Sequence, residues 1–166
     1  MITIISGTNR KNSKTQLVAK YYFQLLKQDN KDVHLFSLEE IKSIYRDAFI
    51  EKIEERLLIP TEKFIIVMPE YNGSFPGILK LLFDNTDIRK VWWYKKALLV
   101  GVADGRGGNL RGIEHMTNIL HYLKMNVHYN KLPISKINLE MNEKGEFVND
   151  LTIQAIKEQV RSFENY

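Results

Sequence analysis

The sequence predicts an α/β protein of one domain spanning residues 1–166: a three-layer α/β/α sandwich around a five-stranded parallel sheet in the order 2-1-3-4-5. Three observations carry that expectation. Five apolar runs rich in β-branched residues punctuate the chain, and helical patterns separate most of them. The third run, Phe64-Ile65-Ile66-Val67-Met68, is apolar without alternation, as suits a central strand covered on both faces. Strands alternating with helices build βαβ units, whose right-handed crossovers give a parallel sheet between two helix layers. In such a sheet ligands sit beyond the carboxyl ends of the strands, where the strand order reverses.

The elements follow in order. The first run is Ile2–Ser6. After it, Ser13-Lys14-Thr15-Gln16 matches a capping box, and Leu17, Val18, Tyr21, Tyr22 and Leu25 supply the apolar face of a helix. The second run, Asp32–Ser37, alternates Val33 and Leu35 with Phe36 beside them. Phe49, Ile50, Ile53, Leu57 and Leu58 then mark a helix ending near Pro60. Beyond the third run, Ile78, Leu79, Leu82 and Phe83 mark a helix with Pro76 near its first turn. The fourth run is Ala97–Val102, followed by a helix bearing Leu110, Ile113, Met116, Leu120 and Leu123. A fifth, weaker run lies near Met125–Tyr129. A less regular stretch, with Asn142-Glu143-Lys144-Gly145 as a turn, leads to a last helix capped by Asp150 with Leu151, Ile153, Ile156, Val160 and Phe163 inward.

Composition narrows the function classes. The chain has 166 residues, 44% hydrophobic and 27% charged, which is an ordinary globular balance. The absence of cysteine excludes disulfides, thiolate metal sites and cysteine nucleophiles. MITIISGTNR lacks the basic start and cleavage site of a secretory signal, and no apolar run approaches the roughly 18 residues of a membrane span. The expected location is therefore cytoplasmic, with no membrane partner. Net charge is +4, but acids and bases are interspersed and no block of five or more Lys/Arg occurs, so no nucleic-acid partner is expected.

The loops expected after strands one, three and four share one sheet edge, and together hold six of the nine glycines. Gly7–Thr15 brings Thr8, Asn9, Arg10, Ser13, Lys14 and Thr15 to a helix amino terminus, where unpaired N–H groups and a partial positive charge welcome an anion. Hydroxyl, amide and cationic donors suit the oxygens of a terminal phosphate. The alternative is a plain connection in which Ser13 caps a helix. Neither G-x-G-x-x-G nor G-x-x-x-x-G-K-[ST] is present, since Asn12 stands where the latter needs its second glycine. Pro69–Gly77, "PEYNGSFPG", offers backbone groups and a ring to the edge of a planar heterocycle, or is a long turn imposed by its prolines. Ser74 stands second in its Gly-to-Gly span, so the G-x-S-x-G elbow of a hydrolase is not met. Ala103–Asn109, "ADGRGGN", suits a flexible wall beside a flat ligand, and residues 89–112 carry a local net charge of +5. Solvated lysines or attraction of an anionic cosubstrate both account for that excess.

The histidines, at 34, 115, 121 and 128, show no metal-ligand spacing. Val91–Tyr94, "VWWY", is read as an edge of the core or a subunit contact rather than a nucleobase platform.

"SGTNRKNSKT", "PEYNGSFPGILK" and "DGRGGNLRG", in that order, resemble the NAD(P)H-dependent FMN reductases, flavodoxin-like proteins that include quinone, azo-compound and chromate reductases. The likeness spans essentially the whole chain. It implies noncovalent FMN, NADPH or NADH as hydride donor, a small-molecule electron acceptor such as a quinone or free flavin, and a homodimer or homotetramer. It also implies that Thr8, Arg10, Ser13 and Thr15 hold the FMN phosphate with Asn9 and Lys14 nearby. Pro69, Glu70, Tyr71 and Asn72 would border the isoalloxazine and ribityl with Gly73 allowing the approach, and Gly105, Arg106, Gly107 and Gly108 would line the other side of the ring. Where such proteins often continue with an Asp-Trp pair, this chain reads Phe83-Asp84-Asn85, which bears on subunit contacts. No catalytic acid or base is expected, because the flavin itself accepts the hydride. The alternatives are a flavodoxin-type electron carrier and a non-catalytic flavin-binding domain.

Overall fold

The computed structural model describes residues 1–28 and 31–166. Its elements are β1 (Ile2–Ser6), α1 (Lys14–Lys27), β2 (Val33–Ser37), α2 (Ala48–Ile53), β3 (Lys63–Pro69), α3 (Gly77–Asp84), α4 (Ile88–Val91), β4 (Lys96–Val102), α5 (Leu110–Tyr122), β5 (Asn126–Val127), β6 (Leu132–Ile134), α6 (Ile137–Glu140) and α7 (Asp150–Glu164). The sheet is parallel throughout, in the order β2-β1-β3-β4-β5, with β6 also on β4.

Alternation along the central strands divides the core into two layers, because successive side chains leave a strand on opposite faces. Ile4, Ile65, Val67, Leu98 and Val100 meet Val18, Ala19, Tyr22 and Leu26 of α1 and Ile156, Val160 and Phe163 of α7. Ile5, Phe64, Ile66, Met68, Ala97 and Leu99 meet Ile50 of α2, Leu79, Leu82 and Phe83 of α3, and Ile113, Met116 and Leu120 of α5. Trp92 belongs to this second layer, fully buried between Phe64 and Phe83, with its indole N–H donated to Thr86 at 2.9 Å.

The fifth strand position departs from expectation. Two short strands take the place of one run: β5 pairs with Lys96 and Ala97, and β6 with Val100 to Val102. Between them the buried amide of Gln159 on α7 donates to the carbonyls of Leu99, at 3.4 Å, and Asn130, at 2.8 Å, while accepting from the Tyr22 hydroxyl at 2.6 Å. A side chain thus satisfies backbone groups that a continuous strand would have paired.

Smaller corrections concern helix ends. Asn149, not Asp150, caps α7, and Asn149 Oδ1 accepts the Leu151 amide. Leu151 is 77% exposed and Leu110 53%, so the apolar faces of α7 and α5 begin later than expected. Pro76 is the N-cap of α3, beside the first turn as expected. The helix before Pro60 is α2 extended by a π-helical turn over Glu54–Leu58. There the buried Glu54 carboxylate holds Arg46 and accepts the Asp87 amide at 3.1 Å.

Candidate active site

Parallel strands bring the loops after β1, β3 and β4 to one edge of the sheet. At the start of α1, Ser13 is extended (φ −76°, ψ 149°) and its Oγ accepts the Gln16 amide at 3.1 Å. The reciprocal half of the capping box is not made: Gln16 Oε1 is buried without a partner. A hydroxyl that accepts from the backbone keeps its own proton to donate, so Ser13 remains a donor toward the loop.

The Thr8 hydroxyl is almost fully buried, lies 2.9 Å from the Tyr71 hydroxyl and accepts the Arg10 amide at 3.3 Å. The Arg10 guanidinium sits 4.2 Å over the Tyr71 ring, a cation–π contact that ties the first loop to the second. A cleft of about 300 Å³ opens here. Thr8, Arg10, Ser13, Lys14 and Thr15 line it on one side, and Pro69, Glu70 and Tyr71 on the other. Lys11, Val102, Ala103, Asp104 and Ile137 complete it, so three cations face two carboxylates.

The Pro69–Gly77 loop turns back tightly. The Tyr71 amide donates to the Ser74 carbonyl at 2.8 Å and the Ser74 amide to the Tyr71 carbonyl at 3.1 Å. Asn72 (φ 51°) and Gly73 (φ 76°) between them are both left-handed, the two-residue turn that Asn-Gly favours. Asn72 and Gly73 form the tip of this turn and do not line the cleft, nor does the exposed Asn9. Ser74 Oγ lies 2.9 Å from His115 Nδ1, which pins the turn to α5.

The third loop borders a second cleft of about 420 Å³, lined by Gly105, Arg106, Gly107, Leu110 and Arg111 and meeting the first at Glu70. A Cβ placed on Gly105 or Gly107 would meet no atom within 4 Å, so the protein's own packing does not demand glycine there. Open space beside backbone is what a flat ligand pressed against a loop requires. Gly108 differs: it is buried, and a Cβ there would fall 2.6 Å from the Pro133 backbone, so it anchors the loop to β6 instead of facing the cleft.

Sequence reasoning missed Asn109. Buried and left-handed (φ 64°), it donates to the carbonyls of Met68, at 3.1 Å, and Pro69, at 2.9 Å, while its Oδ1 accepts the Gly112 amide at 3.1 Å. It therefore ties the end of β3 to the start of α5. An Asn immediately before a helical pattern is a cap signal that could have exposed half of this role. Ile137 was missed for want of any local signal, because its amide reaches the Ala103 carbonyl, at 3.1 Å, only once the chain has returned through β6.

Among the described residues no group of three His, Asp or Glu side chains is placed to hold a metal. The donor set fits FMN instead. Cations and hydroxyls gather at a helix amino terminus for a phosphomonoester, beside a glycine-walled recess for a planar ring.

Comparison with known proteins agrees. The family described as NADPH-dependent FMN reductase matches residues 1–138. An NADPH azoreductase of Bacillus sp. (strain OY1-2) is 25% identical over 166 residues, which cover 95% of this chain and 89% of that one. The flavoenzyme NAD(P)H:(acceptor) oxidoreductase FerB of Paracoccus denitrificans shares the fold with a TM-score of 0.79 at 20% identity, over 99% of this chain and 95% of that one. The apo form of the NADH:FMN oxidoreductase EMOB does so with a TM-score of 0.74 at 16% identity, over 98% and 89%. The chain belongs to the NADPH-dependent FMN reductase family, as a flavodoxin-like oxidoreductase that uses FMN with NAD(P)H as cosubstrate.

Proposed function

We propose that this chain holds FMN in the joined clefts and reduces a small acceptor, a quinone or free flavin, with electrons from NADPH or NADH. One observation carries the placement: Thr8, Ser13 and Thr15 converge with Arg10, Lys11 and Lys14 on one cleft at the start of α1. In this reading the hydroxyls and the Arg10 and Lys14 cations bind the phosphate, and Asn9 lies nearby. Pro69, Glu70 and Tyr71 border the ring and ribityl, and Asn72 and Gly73 form the turn that holds Tyr71 in place rather than touching the ring. Gly105, Arg106 and Gly107 form the opposite wall, which Gly108 holds in place. The bound flavin supplies the hydride acceptor and donor, so the protein's part is position and electrostatics. A homodimer or homotetramer is the proposed assembly, and the cytoplasm the proposed location.

The experiment is the visible spectrum of protein mixed with FMN and desalted, followed by steady-state NADPH and NADH oxidation with an uncharged quinone. Yellow protein that turns over with either nicotinamide is expected. Protein that stays colourless overturns the reading, and yellow protein that passes no electrons from nicotinamide would mark an electron carrier.

A further inference from the structure

The Asn72–Gly73 turn carries chemistry that flavin binding leaves unused. It is the one Asn-Gly step in the chain, and every other asparagine is followed by a residue with a side chain. The difference matters because the backbone nitrogen after an asparagine attacks the carboxamide carbon most readily where no side chain crowds it, and glycine leaves it bare.

Asn72 is exposed. Among the described residues neither its carboxamide nor the Gly73 amide makes a hydrogen bond, because the pair that closes the turn runs between Tyr71 and Ser74, at 2.8 and 3.1 Å. A Cβ placed on Gly73 would meet only the Arg111 Cδ, at 3.9 Å, so the surroundings leave the glycine open as well. Electrophile and nucleophile thus stand on adjacent residues, in reach of water. What restrains them is the turn itself. Both residues are left-handed (φ 51° and 76°), and a ring closes between them only when the peptide that joins them rotates out of that geometry. The Tyr71–Ser74 pair opposes the rotation, and so does the 2.9 Å contact of Ser74 Oγ with His115 Nδ1 on α5. A ligand pressed against Tyr71 would oppose it further.

We propose that Asn72 is a self-modification site, converted to aspartate and isoaspartate in flavin-free protein and protected when FMN holds the turn shut. The Gly73 nitrogen loses its proton to hydroxide and bonds to the Asn72 Cγ. The carboxamide nitrogen takes up a proton from water and leaves as ammonia, and a succinimide remains. Water then adds to one of the two imide carbonyls and breaks its bond to the Gly73 nitrogen, which regains a proton. Opening at Cγ gives aspartate, and opening at the backbone carbonyl gives isoaspartate, whose main chain runs through the former side chain. Nothing is oxidised or reduced. Either product places a carboxylate beside Arg111, a cation that lines the second cleft. Isoaspartate also adds a backbone atom to a two-residue turn, so the two Tyr71–Ser74 hydrogen bonds cannot both survive. Tyr71 then loses its fixed place against Thr8 and Arg10, and modified protein takes up FMN weakly. The protection by FMN rests on the proposed function, whereas the conversion does not.

The test incubates flavin-free and FMN-saturated wild type at mildly alkaline pH, follows the peptide containing Asn72 by mass spectrometry and counts isoaspartate by enzymatic methylation. In flavin-free protein, conversion at Asn72 is expected to outpace that at every other asparagine. Saturating FMN should slow it about tenfold or more, because a ligand that binds only the closed turn suppresses opening by mass action. His115→Ala, which removes the latch on Ser74, should speed it about threefold, the scale of one net hydrogen bond. Aged flavin-free wild type should bind FMN about threefold or more weakly than fresh protein. Asn72→Gly, which keeps a left-handed turn without the carboxamide, should lose nothing relative to its own fresh sample. Asn72 that stays intact in native flavin-free protein while it converts in urea overturns the proposal, as does equal conversion with and without bound FMN, or conversion that leaves FMN affinity unchanged. Protein that stays colourless with FMN instead fails the proposed function, and the flavin-free time course then decides the site by itself.

Discussion

Ser13 stands at the junction of stability and binding, since one hydroxyl both caps α1 and faces the cleft. Ser13→Ala should lower stability by about 1 kcal/mol, the usual worth of a cap, and weaken FMN binding in the same variant. Thermal melts and FMN fluorescence titration measure the two effects separately. In the proposed placement of FMN, Arg106 acts on the energy of the flavin rather than on the structure of the loop. A cation near the flavin pyrimidine favours the reduced anion, so Arg106→Ala is expected to lower the midpoint potential of bound FMN in a spectroscopic redox titration, and an unchanged potential would dismiss the role. His128 sits far from this chemistry, at the packing of α7. Its ring is buried, Nδ1 accepts the Asn130 amide at 3.2 Å, and Nε2 lies 3.1 Å from the Ser162 hydroxyl. Because Nδ1 is the acceptor, Nε2 carries the proton and donates it, so Ser162 is not activated as a nucleophile. Burial lowers the His128 pKa below 6.5. The unfolded chain then binds the proton more readily, so the stabilising contribution is complete above pH 6.5 and is lost as pH falls through the lowered folded value. Urea midpoints between pH 7.5 and 5 should fall in wild type more steeply than in His128→Phe.

At the scale of elements, the position of the clefts depends on how firmly α5 is joined to β3, and Asn109 is that joint. Asn109→Ala deprives the Gly112 amide and two strand-end carbonyls of the Asn109 side chain and leaves alanine, which tolerates the left-handed region less well than asparagine, at φ 64°. A loss of about 3 kcal/mol in urea unfolding is expected, and Asn109→Gly should recover only the backbone part. The elements legible from residue pattern were those whose reasons are local. β1, β3 and β4 each bury nearly every residue, so their apolar runs mark them, and the first loop is defined by the polar residues that follow β1. Eleven residues expected at the site do line one cleft or the other, because loop composition survives folding unchanged. What escaped was decided at long range. The break between β5 and β6 is filled by Gln159, 29 residues beyond Asn130, and no pattern near Met125–Tyr129 encodes it. Leu110 and Leu151 continue the apolar period of their helices past the point where the core covers them. Periodicity reports which face is apolar, not where the partner surface ends.

Across the whole molecule, two groups of cations stand at opposite edges of the sheet and do different work at each. At the strand starts Lys63 donates to the carbonyls of Phe163, at 3.2 Å, and Glu164, at 2.8 Å, at the end of α7. Lys95 likewise caps the turn at Leu58 and Ile59, its pKa drawn down by burial to about 8. At the strand ends Arg10, Lys11, Lys14, Arg106 and Arg111 surround the clefts. The net charge of +4 therefore conceals cations in different roles, some fastening chain ends and some lining the clefts. Polyanion binding to the strand-start edge should accordingly be weak, and raising salt should act chiefly on encounter with anionic substrates, visible as a salt-dependent KM. The interrupted border beyond β4 has a consequence of another kind. Two- and three-residue pieces, offset by a bend and stitched by a glutamine from behind, present no straight ladder of free amides and carbonyls to a neighbouring chain. On that flank the molecule resists growing into fibrils by strand addition, and filling the gap with a regular β run would remove the safeguard.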